Sequence, residues 1–128
     1  MALWVRFARQ DGSEGFGTLD EAAGRIAVHA GDLFAAPVPS GETLDRAAIR
    51  LLAPVRPGKF VGLWNNFREL AAKTGAAIPD TPLWFLKAGT ALLGPNGTIR
   101  PPAGYGGKVL YEGELGLVQE HGVRRAVH

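Results

Sequence analysis

The feature that most constrains the fold is a series of short alternating apolar runs, each cut off by glycine or proline. The 128 residues include 18 glycines and 9 prolines, which suit turns and interrupt helices. Alternation with a period of two is typical of half-buried strands. The sequence therefore predicts a mainly β fold with short helices, in the α+β class.

The first runs predict a small antiparallel meander. Residues 2–8, 15–19 and 25–29 alternate as strands do, and turn residues separate them. A proline-containing loop is expected over residues 32–41, because proline cannot donate a hydrogen bond to a sheet. Thr43 is then expected to cap a short helical turn.

A Pro/Gly-rich passage at residues 54–58 is the best candidate for a domain boundary. We expect a small N-terminal β-rich domain over residues 1–53 and a second domain over residues 54–118. The tail, residues 119–128, has no strand pattern.

The second domain is predicted to contain two apolar strands around one helix. The strands cover residues 59–64 and 83–87, and the helix covers residues 67–73. One of the two asparagines before the helix is the expected N-cap, and Gly75 the expected stop.

The last alternating run, residues 108–118, predicts a strand with Glu112 and Glu114 on one face. In a strand their backbones lie about 6.5–7 Å apart. A divalent cation would offset the cost of placing two carboxylates beside apolar neighbours. An edge strand with both acids in water is the alternative. The strand alone leaves both interpretations open.

Composition excludes several classes of function. The net charge of +2 is small and scattered, so nucleic-acid binding is not expected. No apolar run approaches the roughly 18 residues of a membrane span, and the N-terminus lacks a signal-peptide pattern. With no cysteines to form disulfides, a cytoplasmic protein is expected.

Four motifs, in this order and spacing, resemble the fumarylacetoacetate hydrolase superfamily. They are Pro-Val-Arg-Pro-Gly-Lys at 54–59, Asn-Phe-Arg at 66–68, Phe-Leu-Lys at 85–87 and Tyr-Glu-Gly-Glu-Leu at 111–115. The start of the chain resembles the N-terminal domain of bacterial members of the 2-hydroxyhepta-2,4-diene-1,7-dioate isomerase and 2-keto-4-pentenoate hydratase type. The resemblance implies an incomplete mixed β roll of this type after the small domain.

The resemblance also implies an activity. Members are usually dimers, and they hydrolyse, decarboxylate, isomerise or hydrate 2-oxo or β-dicarbonyl acids, here from aromatic catabolism. The implied cofactor is Mg²⁺ or Mn²⁺, with Glu112 and Glu114 among its ligands. Such a cation stabilises negative charge that develops on the substrate. Lys87 and Thr90 match positions near the substrate.

This chain departs from the family pattern in ways that bear on activity. The family's His-x-x-Glu acid/base pair falls on Leu70 and Lys73, so no catalytic residue is assigned. A third carboxylate ligand, expected further along, has no counterpart here, and His121 and His128 are expected to be solvated. We expect a truncated enzyme. The alternative is a non-catalytic remnant or dimerisation module that retains the scaffold without a complete metal site.

Overall fold

The computed structural model describes residues 2–118. Strands account for 38% and helices for 11%, so the predicted mainly β class is confirmed. The tail 119–128, with His121 and His128, lies outside the described residues. None of the helices within residues 2–118 is long and apolar enough to cross a membrane.

The N-terminal sheet contains five strands, and all of its pairings are antiparallel. The order is β4-β3-β2-β1-β5, which confirms the predicted meander of the first three. The strands are β1 (Leu3–Ala8), β2 (Glu14–Asp20), β3 (Arg25–Asp32), β4 (Ala35–Asp45) and β5 (Arg50–Leu51).

The core of this sheet follows from the alternation of β1 and β3. Phe7 and Ile26 are fully buried, and Val28 is nearly so, because every second side chain of a strand points to the same face. Partly buried apolar residues surround these three: Val5, Leu19, Leu44, Ile49 and Leu51. The N-terminal sheet therefore has a hydrophobic cluster of its own.

The predicted loop over residues 32–41 is largely wrong, because β4, which has 11 residues and is the longest strand within residues 2–118, begins at Ala35 and covers most of that range. β4 lies at the edge of the sheet, where a strand has one unpaired side and tolerates proline at positions such as Pro37 and Pro39. Its pairing with β3 also shifts register there. The helical turn that follows, Arg46–Ala48, is capped by Asp45 rather than Thr43: Oδ1 of Asp45 accepts a hydrogen bond from the Ala47 N–H at 2.8 Å.

The second region contains an antiparallel pair of strands with a helix in the connection between them. The elements are β6 (Phe60–Trp64), α1 (Arg68–Thr74) and β7 (Leu83–Lys87), followed by a 3₁₀ turn (Gly89–Ala91). Gly75 ends α1 as predicted, with a φ of 69° and its N–H donating to the Ala71 carbonyl. The expected asparagine cap is wrong, since Phe67 is the N-cap residue and makes no side-chain capping bond.

Charged side chains tie the passage before β6 to the N-terminal sheet. The Glu14 carboxylate accepts hydrogen bonds from Arg6 at 2.7 Å and from Arg56 at 2.6 Å. Arg6 also donates to the Ala53 carbonyl at 3.0 Å, and its own carbonyl accepts from the Leu52 N–H at 2.9 Å. These bonds fix where the chain leaves the sheet.

Candidate functional site

A cavity of about 250 Å³ lies where β6 passes into α1, and both predicted metal ligands line it. Glu112 and Glu114 form part of its wall, together with Asn65, Asn66 and the Leu70 side of α1. Carboxylate and amide oxygens thus meet an apolar helix face in one concave site. Such a combination is typical of small-molecule sites.

The asparagine pair is held by the loops at the two ends of α1. Asn65 has a positive φ of 55°, a conformation that asparagine adopts more readily than most residues. Its Nδ2 donates a hydrogen bond to the Ala77 carbonyl at 2.7 Å. The residues before and after the helix are therefore joined, which positions Asn65 at the cavity wall.

The segment that carries the two glutamates is not a strand, and this part of the sequence prediction is wrong. Residues 108–118 have no regular secondary structure and are exposed; Tyr111 is 98% exposed. A strand needs a neighbour for its backbone hydrogen bonds, and the described residues provide none here. The segment begins at a turn in which the Tyr105 hydroxyl donates to the Lys108 carbonyl at 3.1 Å.

Glu112 and Glu114 are the type of ligand that a hard divalent cation prefers, but two carboxylates are fewer ligands than such a cation needs. Carboxylate oxygens are the ligands that Mg²⁺ and Mn²⁺ prefer, and both glutamates line the same cavity. Within residues 2–118, however, no group of three or more His, Cys, Asp or Glu side chains is placed to hold a metal ion. Glu112 and Glu114 can therefore provide two ligands of such a site.

The helix positions that match the family's acid/base pair differ in where they lie. Leu70 lines the cavity with Glu112 and Glu114, so the position of the family histidine belongs to the same cavity wall as the predicted metal ligands. Lys73, in the last turn of α1, is not part of the cavity wall. An aliphatic side chain cannot transfer protons, so α1 contributes no acid or base to the cavity from residue 70.

The two predicted substrate-binding residues, Lys87 and Thr90, are not part of this cavity wall. The Lys87 ammonium lies over two aromatic rings, 5.4 Å from the centroid of Phe60 and 5.6 Å from that of Phe85. A cation–π contact of this kind is itself a sufficient role for a lysine. Thr90 is exposed in the 3₁₀ turn after β7. Substrate contacts by Lys87 and Thr90 stay predictions.

A larger hollow, of about 440 Å³, lies on the N-terminal sheet. Its wall includes Asp20 and Arg25, which are opposite each other on β2 and β3. These opposite charges balance each other, and the remaining lining side chains are small, apolar or hydroxyl-bearing. The smaller cavity beside α1 has two glutamates and two asparagines in its wall, and it is therefore the candidate functional site.

Asn65 and Asn66 lie in the cavity wall, which the sequence did not predict. One of them was expected to cap α1, and Asn66 was expected to begin a family motif, but neither was expected to line the site. The signal that could have found them is two adjacent amides between an apolar strand and a helix, since polar residues at such junctions often serve binding.

Comparison with known proteins identifies two matched regions. A family model described as "Rv2993c-like, N-terminal" matches residues 3–54. A second, described as "Fumarylacetoacetate (FAA) hydrolase C-terminal", matches residues 59–127, which is more than half of the chain.

Individual relatives agree with these matches. Protein Rv2993c of Mycobacterium tuberculosis is 39% identical over 114 residues, which are 89% of this chain and 41% of that protein. A structure of an uncharacterised protein from Mycobacterium abscessus is 32% identical with a TM-score of 0.63, over 80% of this chain and 40% of that one.

A 2-hydroxyhepta-2,4-diene-1,7-dioate isomerase from Mycobacterium marinum also shares the fold, with 27% identity, a TM-score of 0.56, and coverage of 71% of this chain and 34% of that one. The chain thus spans about two fifths or less of the length of these relatives. The matched models, the relatives and the shared fold place this chain in the fumarylacetoacetate hydrolase family.

Proposed function

We propose that this chain contributes to a divalent-cation-dependent reaction on a 2-oxo or β-dicarbonyl acid, with Glu112 and Glu114 as two ligands of the cation. The observation that supports this is the shared cavity: both carboxylates line the same concave site as Asn65 and Asn66. Enzymes of the family generally use divalent metal ions. Mg²⁺ and Mn²⁺ are the proposed ions, because they favour oxygen ligands.

The proposed roles of the side chains follow from their chemistry. A bound divalent cation would stabilise negative charge developing on the oxo and carboxylate oxygens of the substrate. The amides of Asn65 and Asn66 are suited to hydrogen bonding with a substrate carboxylate. Leu70 and Phe67 would pack against the carbon chain of the substrate and reduce the access of water.

A proton-transferring side chain is absent at residue 70. Hydration and hydrolysis need a positioned base to activate water, and enolisation and isomerisation need one to remove a proton from carbon. Each of the family's reactions would therefore require an acid/base group other than Leu70. A dicarboxylate related to the one named for the Mycobacterium marinum isomerase, from aromatic catabolism, is the proposed substrate class. A homodimer is the proposed assembly of the active protein.

A second candidate function rests on the number of ligands. With two carboxylates in the cavity and no cluster of three potential ligands within residues 2–118, the chain could serve as a scaffold or dimerisation module without chemistry. Mg²⁺ binds weakly to so few ligands because it gives up water reluctantly. The two candidates therefore differ in the cation affinity that they predict.

Calorimetric titration with Mn²⁺ separates these candidates. The unaltered chain and a Glu112→Gln/Glu114→Gln variant would be compared with a Glu21→Gln/Asp80→Asn variant, which loses the same charge at exposed positions outside the cavity. Micromolar binding that is lost only in the first variant supports the metal site. Equal binding in all three proteins, or no binding in any, rejects it and leaves the scaffold role.

A further inference from the structure

The turn at residues 94–97 contains the one Asn-Gly sequence of the chain, Asn96-Gly97. A hydrogen bond from the Gly97 N–H to the Gly94 carbonyl, at 3.1 Å, closes the turn. Pro95 is at its second position, and Asn96, at the third, has a positive φ of 62°. A positive φ at the third position is typical of a type II turn. Both Asn96 and Gly97 are exposed to water.

An asparagine that precedes a glycine can react without an enzyme. The backbone nitrogen of the next residue attacks the side-chain amide carbon, so that a C–N bond forms and ammonia leaves. Glycine favours this step, because it has no side chain to obstruct the attack and leaves the backbone free to move. Water then opens the cyclic succinimide at either carbonyl and gives aspartate or iso-aspartate. The reaction therefore needs only water.

Asn96 lacks the features that restrain the other asparagines. Nδ2 of Asn65 donates a hydrogen bond to the Ala77 carbonyl at 2.7 Å, whereas no side-chain hydrogen bond involves Asn96 within residues 2–118. Neither Asn65 nor Asn66 precedes a glycine. The Gly97 N–H must leave its turn hydrogen bond before the nitrogen can attack, and at this exposed position water replaces that bond at low cost.

Asp11-Gly12 provides a comparison within the same chain, because an aspartate before a glycine can form the same succinimide. Oδ1 of Asp11 accepts hydrogen bonds from the Ser13 N–H at 2.8 Å and from the Ser13 hydroxyl at 2.7 Å. These bonds lower the pKa of Asp11 and keep its carboxyl group ionised. A carboxylate is a poor target for a nucleophile, so we expect Asp11 to react more slowly than Asn96.

We propose that Asn96 is a site of spontaneous deamidation, and that the iso-aspartate product weakens the contact between this turn and the end of the N-terminal sheet. Gly94 packs against the backbone of residues 51–53, where a Cβ at residue 94 would lie 3.0 Å from the Leu51 carbonyl oxygen. Iso-aspartate adds a carbon to the backbone and a negative charge to the turn. The hydrogen bond between Gly97 and Gly94 then no longer closes the same turn, and the packing of Gly94 is loosened.

Incubation of the 128-residue chain in water enriched in heavy oxygen tests the proposal without metal or substrate. Opening of the succinimide places one heavy oxygen atom in the product, and peptide mapping by mass spectrometry locates it. We expect the label at Asn96 before it reaches Asn65, Asn66 or Asp11, in a mixture of aspartate and iso-aspartate. The rate should rise with pH, because the attacking nitrogen must lose its proton.

Asn96→Gly is the matched variant, because glycine removes the reactive amide and tolerates the positive φ of the turn. The unaltered chain should slowly form a species with one positive charge fewer on ion-exchange chromatography, and the variant should not. The iso-aspartate form, separated by the same method, should exchange the Gly97 amide hydrogen faster than the fresh chain. This second readout tests the loosening of the turn.

A synthetic peptide of residues 91–100 is the unfolded reference. The proposal is overturned if the peptide deamidates but Asn96 in the folded chain does not, because the turn would then protect the amide. It is also overturned if Asn65, Asn66 or Asp11 reacts first, or if the Gly97 amide exchanges at the same rate before and after the reaction.

Discussion

The N-terminal sheet and the region after residue 59 have similar apolar content but bury it very differently. Within the described residues, four of the five buried apolar side chains belong to the N-terminal sheet, and Ala71 of α1 is the fifth. Phe7 and Ile26 are fully buried, whereas no side chain of the β6-β7 pair is buried among the described residues. Among the described residues, the N-terminal sheet therefore has a buried core, and the second region leaves most of its large apolar side chains exposed.

The difference follows from the number of strands that each region can pair. Five antiparallel strands share one apolar cluster, and three of their four pairings join strands that are consecutive in sequence. Two strands and a seven-residue helix bury too little surface to offset their loss of conformational entropy. Apolar residues alone do not make a core; a second layer is also needed.

The largest expected effect is on the N-terminal core. Phe7→Ala should lower the free energy of unfolding by about 3–5 kcal/mol, because it leaves a cavity at a fully buried site. Trp84→Ala, at a side chain that is 66% exposed, should change it by less than about 0.5 kcal/mol in the chain alone. Urea denaturation followed by circular dichroism measures both. Equal losses from the two variants would break the comparison between the regions.

The next effect concerns the two-glutamate metal site that we propose for the second region. Leu70→His adds an imidazole to the wall that Glu112 and Glu114 share, and it should raise Mn²⁺ affinity about tenfold by supplying a third ligand. Calorimetry measures the change. Lys73→His, on the same helix but outside the cavity wall, is the control. A gain of the same size in the control would show that residue 70 does not face the ligands.

A smaller effect is expected where the two regions are joined. Glu14→Gln weakens the bonds from Arg6 and Arg56 and should cost about 1 kcal/mol, since these groups are partly exposed. Hydrogen exchange of the Leu52 amide, which donates to the Arg6 carbonyl, should become faster. Glu21→Gln, an exposed acid, is the control. Unchanged exchange at Leu52 would mean that the carboxylate does not hold this passage.

The smallest effect concerns the turn between β1 and β2. Hydrogen bonds from the Ser13 hydroxyl and N–H lower the pKa of Asp11 below its ordinary value of 3.8. A lowered pKa adds stability that is present above the unfolded-state pKa and is lost as the pH falls through the folded-state value. Ser13→Ala should therefore raise the pKa of Asp11 toward 3.8, measured by NMR titration. A pKa that does not move would exclude the hydroxyl as its cause.

Local patterns predicted the elements whose pairing is also local. Alternation predicted β1, β2 and β3, and the glycine after the helical pattern predicted the end of α1. In the structure this residue, Gly75, adopts the left-handed conformation that ends the helix. The edge strand β4 was missed because Pro37 and Pro39 indicate a loop to any local rule. Only the position at the sheet edge makes them acceptable.

Glu112 and Glu114 were predicted to lie close together, but the structure shows that the reason given for this was wrong. Glu112 and Glu114 were placed together because a strand would align them, but residues 108–118 form no strand. They share a cavity because the chain returns to the loop before α1. A contact over more than 40 residues of sequence depends on the tertiary fold, and no local pattern of the two segments contains it.

Hydrogen exchange with residue-level resolution tests the central claim most directly. We expect the amides of Phe7, Ile26 and Val28 to exchange only through unfolding of the N-terminal sheet, and the amides that are hydrogen-bonded between β6 and β7 to exchange through far easier local opening. Uniform protection of both regions in the isolated chain would contradict this difference in burial, because it would mean that β6 and β7 are already part of a closed core.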